Sequence, residues 1–256
     1  MVHFEEKAHY DLQDLRQIVH LLRAPGGCPW DAAQTHLSIR RNFLEEAYEA
    51  CEALDCDDEA MLREELGDVL LQVLFHADIE ADRGRMTIDD IADAECRKLI
   101  FRHPFLFGGE RASWDELKKQ EKGQKTTGEA MQGVARSLPA TWRAEKIQKK
   151  AAKTGFCWKS AGQALDKLAE EAQELREAVR DNTNIDEELG DMLFAAVRVA
   201  STLDKDPEQA LHSACEKFIR RFTAMEQSIL ASGRTLEELS REELLASWDA
   251  QKRNGR

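Results

Sequence analysis

Glu170-Glu171-Ala172-Gln173-Glu174 is followed by Glu187-Glu188-Leu189-Gly190-Asp191, and an earlier stretch repeats that order as Glu45-Glu46-Ala47-Tyr48-Glu49 and Glu64-Glu65-Leu66-Gly67-Asp68. Glu171 and Glu174 stand three residues apart, as do Glu188 and Asp191, so on helices each pair projects from one face. Glu46 with Glu49 and Glu65 with Asp68 do the same in the first copy. Two such helices side by side crowd their carboxylates into one pocket. Like charges at that density repel, and a cation filling the pocket relieves them. Oxygen ligands without His or Cys point to Mg²⁺, with Mn²⁺ as the alternative. A single acidic helix usually presents a solvated face. The same two-helix order occurring twice is harder to read that way.

Working outward, Leu12, Leu15, Val19 and Leu22 recur at helical spacing up to Pro25-Gly26-Gly27. After Cys28-Pro29-Trp30-Asp31, a long helix runs through Phe43, Leu44, Ala47 and Leu54, with a polar turn at 55–58. Leu62, Leu66, Val69, Leu70, Val73 and Leu74 mark the next helix, which Arg83-Gly84-Arg85 ends. Another covers Ile88 to Phe101 and stops before Pro104. The second half repeats the plan: Gly155-Phe156-Cys157-Trp158 stands where Gly27-Cys28-Pro29-Trp30 stood, and the two acidic helices follow. A further helix carries Lys217 and Arg221, matching Lys98 and Arg102. No alternating strand pattern interrupts this. The expectation is an all-α protein of two tandem helical copies, residues 1–108 and 142–256. A linker spans 109–141, with one short helix expected from Trp114 to Lys122.

Wound as a helix, the second copy's first acidic segment sets Leu165, Leu168, Ala172, Leu175 and Val179 on one apolar stripe. Lys167, Glu171 and Glu174 adjoin it. The next segment sets Ile185, Leu189, Met192, Ala196 and Ala200 on its stripe, flanked by Glu188 and Asp191. The acids are thus expected beside the core, where carboxylates are partly desolvated. Gly190 costs roughly 1 kcal/mol inside a helix relative to Ala, so either helix packing or ligand approach accounts for it. Lys217 and Arg221 share a face that can clamp phosphate. Lys146, Lys149, Lys150 and Lys153 read as a solvated face, Trp248 as core, and Phe156 with Trp158 as a structural plug.

The 256 residues are 42% apolar and 33% charged, enough for a real core under a solvated helical surface. A net charge of −13 argues against nonspecific DNA binding, which needs an excess of bases. The six cysteines include no CxxC pair, and reduced thiols in a cytoplasmic protein are expected. The first residues lack the pattern of a signal peptide, and no apolar run suits a membrane span. A di-iron bundle fits poorly, since it wants a Glu-x-x-His pair on each of two helices and the acidic motifs contain no His. His76 and His103 read as isolated from Cys and from each other at metal spacing. No P-loop lysine motif and no serine or cysteine nucleophile signature is present.

At these residues the chain resembles the MazG family of nucleoside triphosphate pyrophosphohydrolases. In the first half the resemblance rests on Leu22-Arg23, Gly27-Cys28-Pro29-Trp30-Asp31, Gln34-Thr35, the acidic helices, Gln72-Val73-Leu74-Phe75-His76 and Arg102-His103-Pro104. In the second it rests on Lys146-Ile147-Gln148-Lys149-Lys150-Ala151-Ala152, Gly155-Phe156 and the second acidic pair. The resemblance implies a four-helix core that commonly dimerises. It implies Mg²⁺-dependent hydrolysis of NTPs and dNTPs to monophosphate and pyrophosphate, chiefly in the second copy, as nucleotide-pool housekeeping or a stress response.

The family's metal-binding acids fall on Glu171, Glu174, Glu188 and Asp191, and Glu46, Glu49, Glu65 and Asp68 form a second candidate set. Its nucleotide contacts fall on Lys167, Glu170, Glu171, Asn184, Ile185, Asp186, Glu187, Lys217 and Arg221, with Trp248 as the C-terminal tryptophan. Glu170 or Glu187 is expected to orient or deprotonate the attacking water. The family usually has Asp at Cys157 and His at Phe105, and Asn42 stands at the position matching Lys167. The rival reading is a regulatory module that binds nucleotide or a partner with little turnover.

Overall fold

A computed structural model describes residues 2–110, 113–121 and 123–254. Every regular element among them is helical. The chain divides into two compact units, Met1–Lys118 and Lys119–Arg256.

The first unit contains α1 (Leu12–Arg23), α2 (Pro29–Ala32), α3 (Arg40–Cys56), α4 (Glu59–Asp82), α5 (Ile88–Arg102) and a 3₁₀ turn at Pro104–Leu106, and α6 (Trp114–Glu121) runs across the division at Lys118. Their starts follow from local chemistry. Asp11 and Asp14 form a capping box at α1, Asp58 caps α4, and Thr87 with Asp90 boxes the start of α5. Asp57 closes α3 in the left-handed region. Gly27 permits the tight turn after α1, because a Cβ there would lie 2.2 Å from the Leu21 carbonyl oxygen. α3 packs antiparallel on α4, and α1 and α5 also pack on α4. Val19, Ile39, Leu74, Phe75 and Ile79 form the core. Arg23 lies over the Phe75 ring and donates to Asp78 and Asp82, tying α1 to α4.

The second unit contains α7 (Thr127–Gln132), α8 (Ala140–Ala152), α9 (Ala161–Asp181), α10 (Ile185–Thr202), α11 (Pro207–Ala231), a 3₁₀ turn at Leu236–Glu238 and α12 (Arg241–Asn254). Ser160 caps α9, and Asp206 with Pro207 starts α11. Asn182 and Asn184 are both left-handed, which makes the sharp α9–α10 reversal possible. α9 lies along α10, and α8 and α11 pack on α10 and on each other. Each unit is thus built on four principal helices.

Three sequence expectations need correction. The segment 109–141 carries two helices rather than one short helix. α6 ends at Glu121 while Lys122 lies outside the described residues, and α7 was not anticipated. Phe156 is no plug: it is 74% exposed, and it is Trp158 that packs, under the buried Arg198 guanidinium. The covered face of α9 runs Ala164, Leu168, Glu171, Leu175 and Ala178, one position round from the expected stripe. Leu165 and Val179 are exposed, as are Leu189 and Ala196 on α10. The sequence signal follows side-chain size, whereas Ala164 and Ala178 are buried and the larger Leu165 and Val179 are not.

Candidate functional site

That rotation puts an acid inside the seam. Glu171 is only 8% exposed, Glu188 is half-buried on α10, and Glu174 sits at the solvent edge. Ligand-capable oxygens of these three all lie within 4.8 Å of one another. Asp191, exposed one turn further along α10, stands outside that set. The first unit repeats the arrangement with Glu46, Glu49 and Glu65, while Asp68 is half-buried beside them.

The charges register each other. Burial and the neighbouring Glu171 push the Glu174 carboxyl above the ordinary range. Burial, then Asp68 and Glu49, push Glu46 up, and burial with Glu49 pushes Glu65 up. Three carboxylates gathered this closely offer the oxygen ligands that a hard divalent ion takes. The all-oxygen donor set and the raised carboxyls make both clusters chemically suited to a hard divalent cation.

Only the second copy places its own cation there. Lys167 Nζ donates to Glu170 Oε1 at 2.7 Å and pairs with Glu171 Oε1 at 2.8 Å. These bonds raise the lysine well above its ordinary pKa, Glu170 contributing most. In the first copy Asn42 occupies the matching position, and the adjacent Arg41 reaches Glu45 at 2.7 Å.

At the head of α10, Asp186, Glu187 and Glu188 fill the first turn. Asn182 to Glu187 line a shallow open concavity of about 480 Å³. Asn184 makes no side-chain cap bond, leaving its amide free of that task. Glu170 and Glu187 are both exposed, Glu170 held by Lys167.

On α11, Lys217 is exposed and Arg221 half-buried. Among the described residues neither is ion-paired or hydrogen-bonded through its side chain, and nothing joins them to the carboxylates. The Trp248 ring lies 5.1 Å from Phe218, centroid to centroid, with Lys252 Nζ 5.9 Å above it. Trp248 is therefore half-buried at the α11–α12 junction, neither full core nor free. Arg234 donates to Glu243 at 2.8 Å, which holds that carboxyl down to about 2 and pins the start of α12. The matching bases of the first copy are engaged locally: Lys98 pairs with Glu95, and Arg102 lies over Trp114.

One cluster escaped the sequence. His76 has partners that its own stretch of sequence does not announce: its Nδ1 lies 2.7 Å from His36 Nδ1, and His36 Nε2 lies 2.8 Å from Glu80 Oε1. His76 and Glu80 share a face of α4 at i, i+4, a visible signal; His36 lies on a loop 40 residues earlier, where no periodicity points to it. A Cβ built on Gly67 or Gly190 meets nothing within 4 Å. Packing within the chain thus requires neither glycine.

The profile of the MazG nucleotide pyrophosphohydrolase domain matches residues 34–107 and 160–224, one match in each copy. Over 244 residues the chain is 42% identical to the nucleoside triphosphate pyrophosphohydrolase/pyrophosphatase MazG of Thermotoga maritima, covering 94% of this chain and 95% of that one. It is 40% identical over 252 residues to the nucleoside triphosphate pyrophosphohydrolase of Escherichia coli K12, covering 93% and 96% respectively. A protein of the same name from Mycolicibacterium smegmatis is 42% identical over 154 residues, 57% of this chain and 47% of its own length.

Proposed function

Since the chain belongs to the MazG family, we propose that it hydrolyses nucleoside and deoxynucleoside triphosphates to the monophosphate and pyrophosphate in its second copy, residues 142–256. The observation that carries this reading is the Glu171–Glu174–Glu188 cluster, with a lysine already in place beside it.

In this reading Glu171, Glu174 and Glu188 hold Mg²⁺, or Mn²⁺, and Asp191 joins them by a rotamer change. Such an ion, when bound, supplies Lewis-acid polarisation of phosphoryl oxygens. Lys167, Lys217 and Arg221 neutralise the phosphate oxygens and the departing pyrophosphate. Glu170 or Glu187 accepts the proton of the attacking water as its oxygen bonds to phosphorus and the anhydride P–O bond breaks. Asn184, Ile185, Asp186 and Glu187 border the nucleotide, and Trp248 offers a ring face to the base. The first copy retains the acids Glu46, Glu49, Glu65 and Asp68. It lacks the lysine and has its other bases engaged, which favours cation binding without turnover there.

A homodimer fits the exposed surface. The chain exposes 18441 Å². Two separate globular units, each half of its 29.1 kDa, would expose about 14,000 Å² between them. Leu165, Leu189, Leu193, Phe218 and Ile219 account for part of the excess, and a second copy is the occupant we assign to them. No helix among the described residues is long and apolar enough to cross a membrane. The six cysteines are all unpaired, which suits the reducing cytoplasm, where a role in nucleotide-pool housekeeping belongs.

The test is product analysis. Incubation with Mg²⁺ and each canonical NTP and dNTP is expected to yield equimolar monophosphate and pyrophosphate. Diphosphate with inorganic phosphate, or tight binding without product, would contradict the proposal.

A further inference from the structure

We propose that Lys167 is a built-in counter-ion of the second-copy carboxylates, which a divalent ion displaces and thereby frees to grip the triphosphate. The inference rests on the metal site assigned under Proposed function and adds an order of events to it: ion first, phosphate grip second.

Lys167 Nζ bridges two carboxylates, Glu170 Oε1 at 2.7 Å and Glu171 Oε1 at 2.8 Å. Glu171 is the buried member of the cluster, and Glu170 stands outside it, exposed. The ammonium therefore has one seat in the metal set and one beside it. A divalent ion taking the same Glu171 oxygen would face a positive charge at close range, in a part-buried seam where screening is weak. Lysine can yield. Its donors sit on a flexible four-carbon stem, and α9 places it one turn before Glu171, within reach of Glu170 and of solvent.

The first copy supplies the internal contrast. Asn42 stands at the lysine position, and Arg41 reaches Glu45, the counterpart of Glu170, rather than Glu46, the counterpart of Glu171. Among the described residues that cluster has no resident ammonium, and burial with the neighbouring carboxylates pushes Glu46 and Glu65 up. The two copies thus present the same acids with and without an internal competitor for the ion.

The experiment uses the full chain without nucleotide. The Lys167 ¹⁵Nζ resonance, assigned by Lys167→Arg, is followed during Mg²⁺ addition, and ion binding is followed separately by Mn²⁺ electron paramagnetic resonance. The ion-free ammonium is expected to be shielded from solvent exchange and to lose that shielding with the midpoint of ion binding. In a background where Glu46→Gln and Glu49→Gln silence the first copy, Lys167→Met is expected to bind Mn²⁺ about fivefold more tightly, the scale of a part-exposed ion pair. If Mn²⁺ binds, is lost in Glu171→Gln, and yet leaves the Lys167 resonance and the Lys167→Met affinity unchanged, the counter-ion proposal fails while the metal site stands. If Glu171→Gln in the same silenced background leaves Mn²⁺ binding intact, the metal site falls, and the proposal with it.

Discussion

Glu171 of α9 and Glu188 of α10 face each other across the seam of the second unit, their carboxylates within 4.8 Å and one of them almost wholly buried. Two anions so placed on the covered side of paired helices destabilise the fold unless a proton or a cation intervenes.

The consequence is that Glu174 contributes a pH dependence opposite to that of an ordinary paired carboxylate. Burial and Glu171 raise the Glu174 carboxyl above its ordinary value of 4.5, so the folded form holds that proton more tightly than the unfolded chain. The group's favourable contribution is complete below 4.5 and is lost as pH rises through the higher folded value. Thermal melts in EDTA are expected to show Glu174→Gln gaining stability over wild type near pH 7 and losing that advantage near pH 4. Mg²⁺ should raise the wild-type melting temperature at pH 7 and have progressively less effect as protons displace it.

Gly190 lies inside α10 with open space where a Cβ would go. Gly190→Ala should therefore stabilise the helix by about 1 kcal/mol, visible as a higher melting temperature. With packing inside the chain set aside, ligand approach accounts for the glycine in the reacting copy, so kcat/KM should fall in the same variant. Unchanged turnover would remove that explanation.

The His36–His76–Glu80 cluster makes the first unit acid-sensitive. Burial and the adjacent His36 hold His76 below its ordinary 6.5, so its contribution to stability is present above 6.5 and is lost as pH falls from there through the lower folded value. Chemical denaturation at pH 7.5 and 5.5 is expected to show a drop for wild type and a smaller one for His76→Gln.

Leu193 is 57% exposed on α10, one turn from the 41% exposed Leu189. Leu193→Asp should convert a dimer to a monomer in sedimentation while leaving the helical circular dichroism unchanged. A wild-type monomer at micromolar concentration would end the dimer proposal.

The helices were legible because periodicity and caps agree. Asp11, Asp58, Thr87 and Ser160 each stand at the start of a periodic run, and each accepts from the backbone there. The pairing of acids across two helices was legible from spacing and duplication. Their depth was not. Leu165 and Val179 outweigh Ala164 and Ala178 in any hydrophobic pattern, yet the alanines are buried and the larger residues stay exposed. A helix with two apolar faces does not announce which one its own chain covers. α7 was missed because only six residues, Thr127–Gln132, form it, and its signal is the Thr126–Glu129 capping box rather than a stripe. The His36–His76 contact joins a loop to a helix, a relationship that only the fold creates.

The most direct test of the central claim compares pyrophosphate release by two full-length variants. Glu171→Gln is expected to lose at least about a hundredfold in kcat with Mg²⁺ and a nucleoside triphosphate, while Glu46→Gln stays within about twofold of wild type. Equal, near-normal release by both variants would contradict the assignment of the chemistry to the second-copy carboxylates.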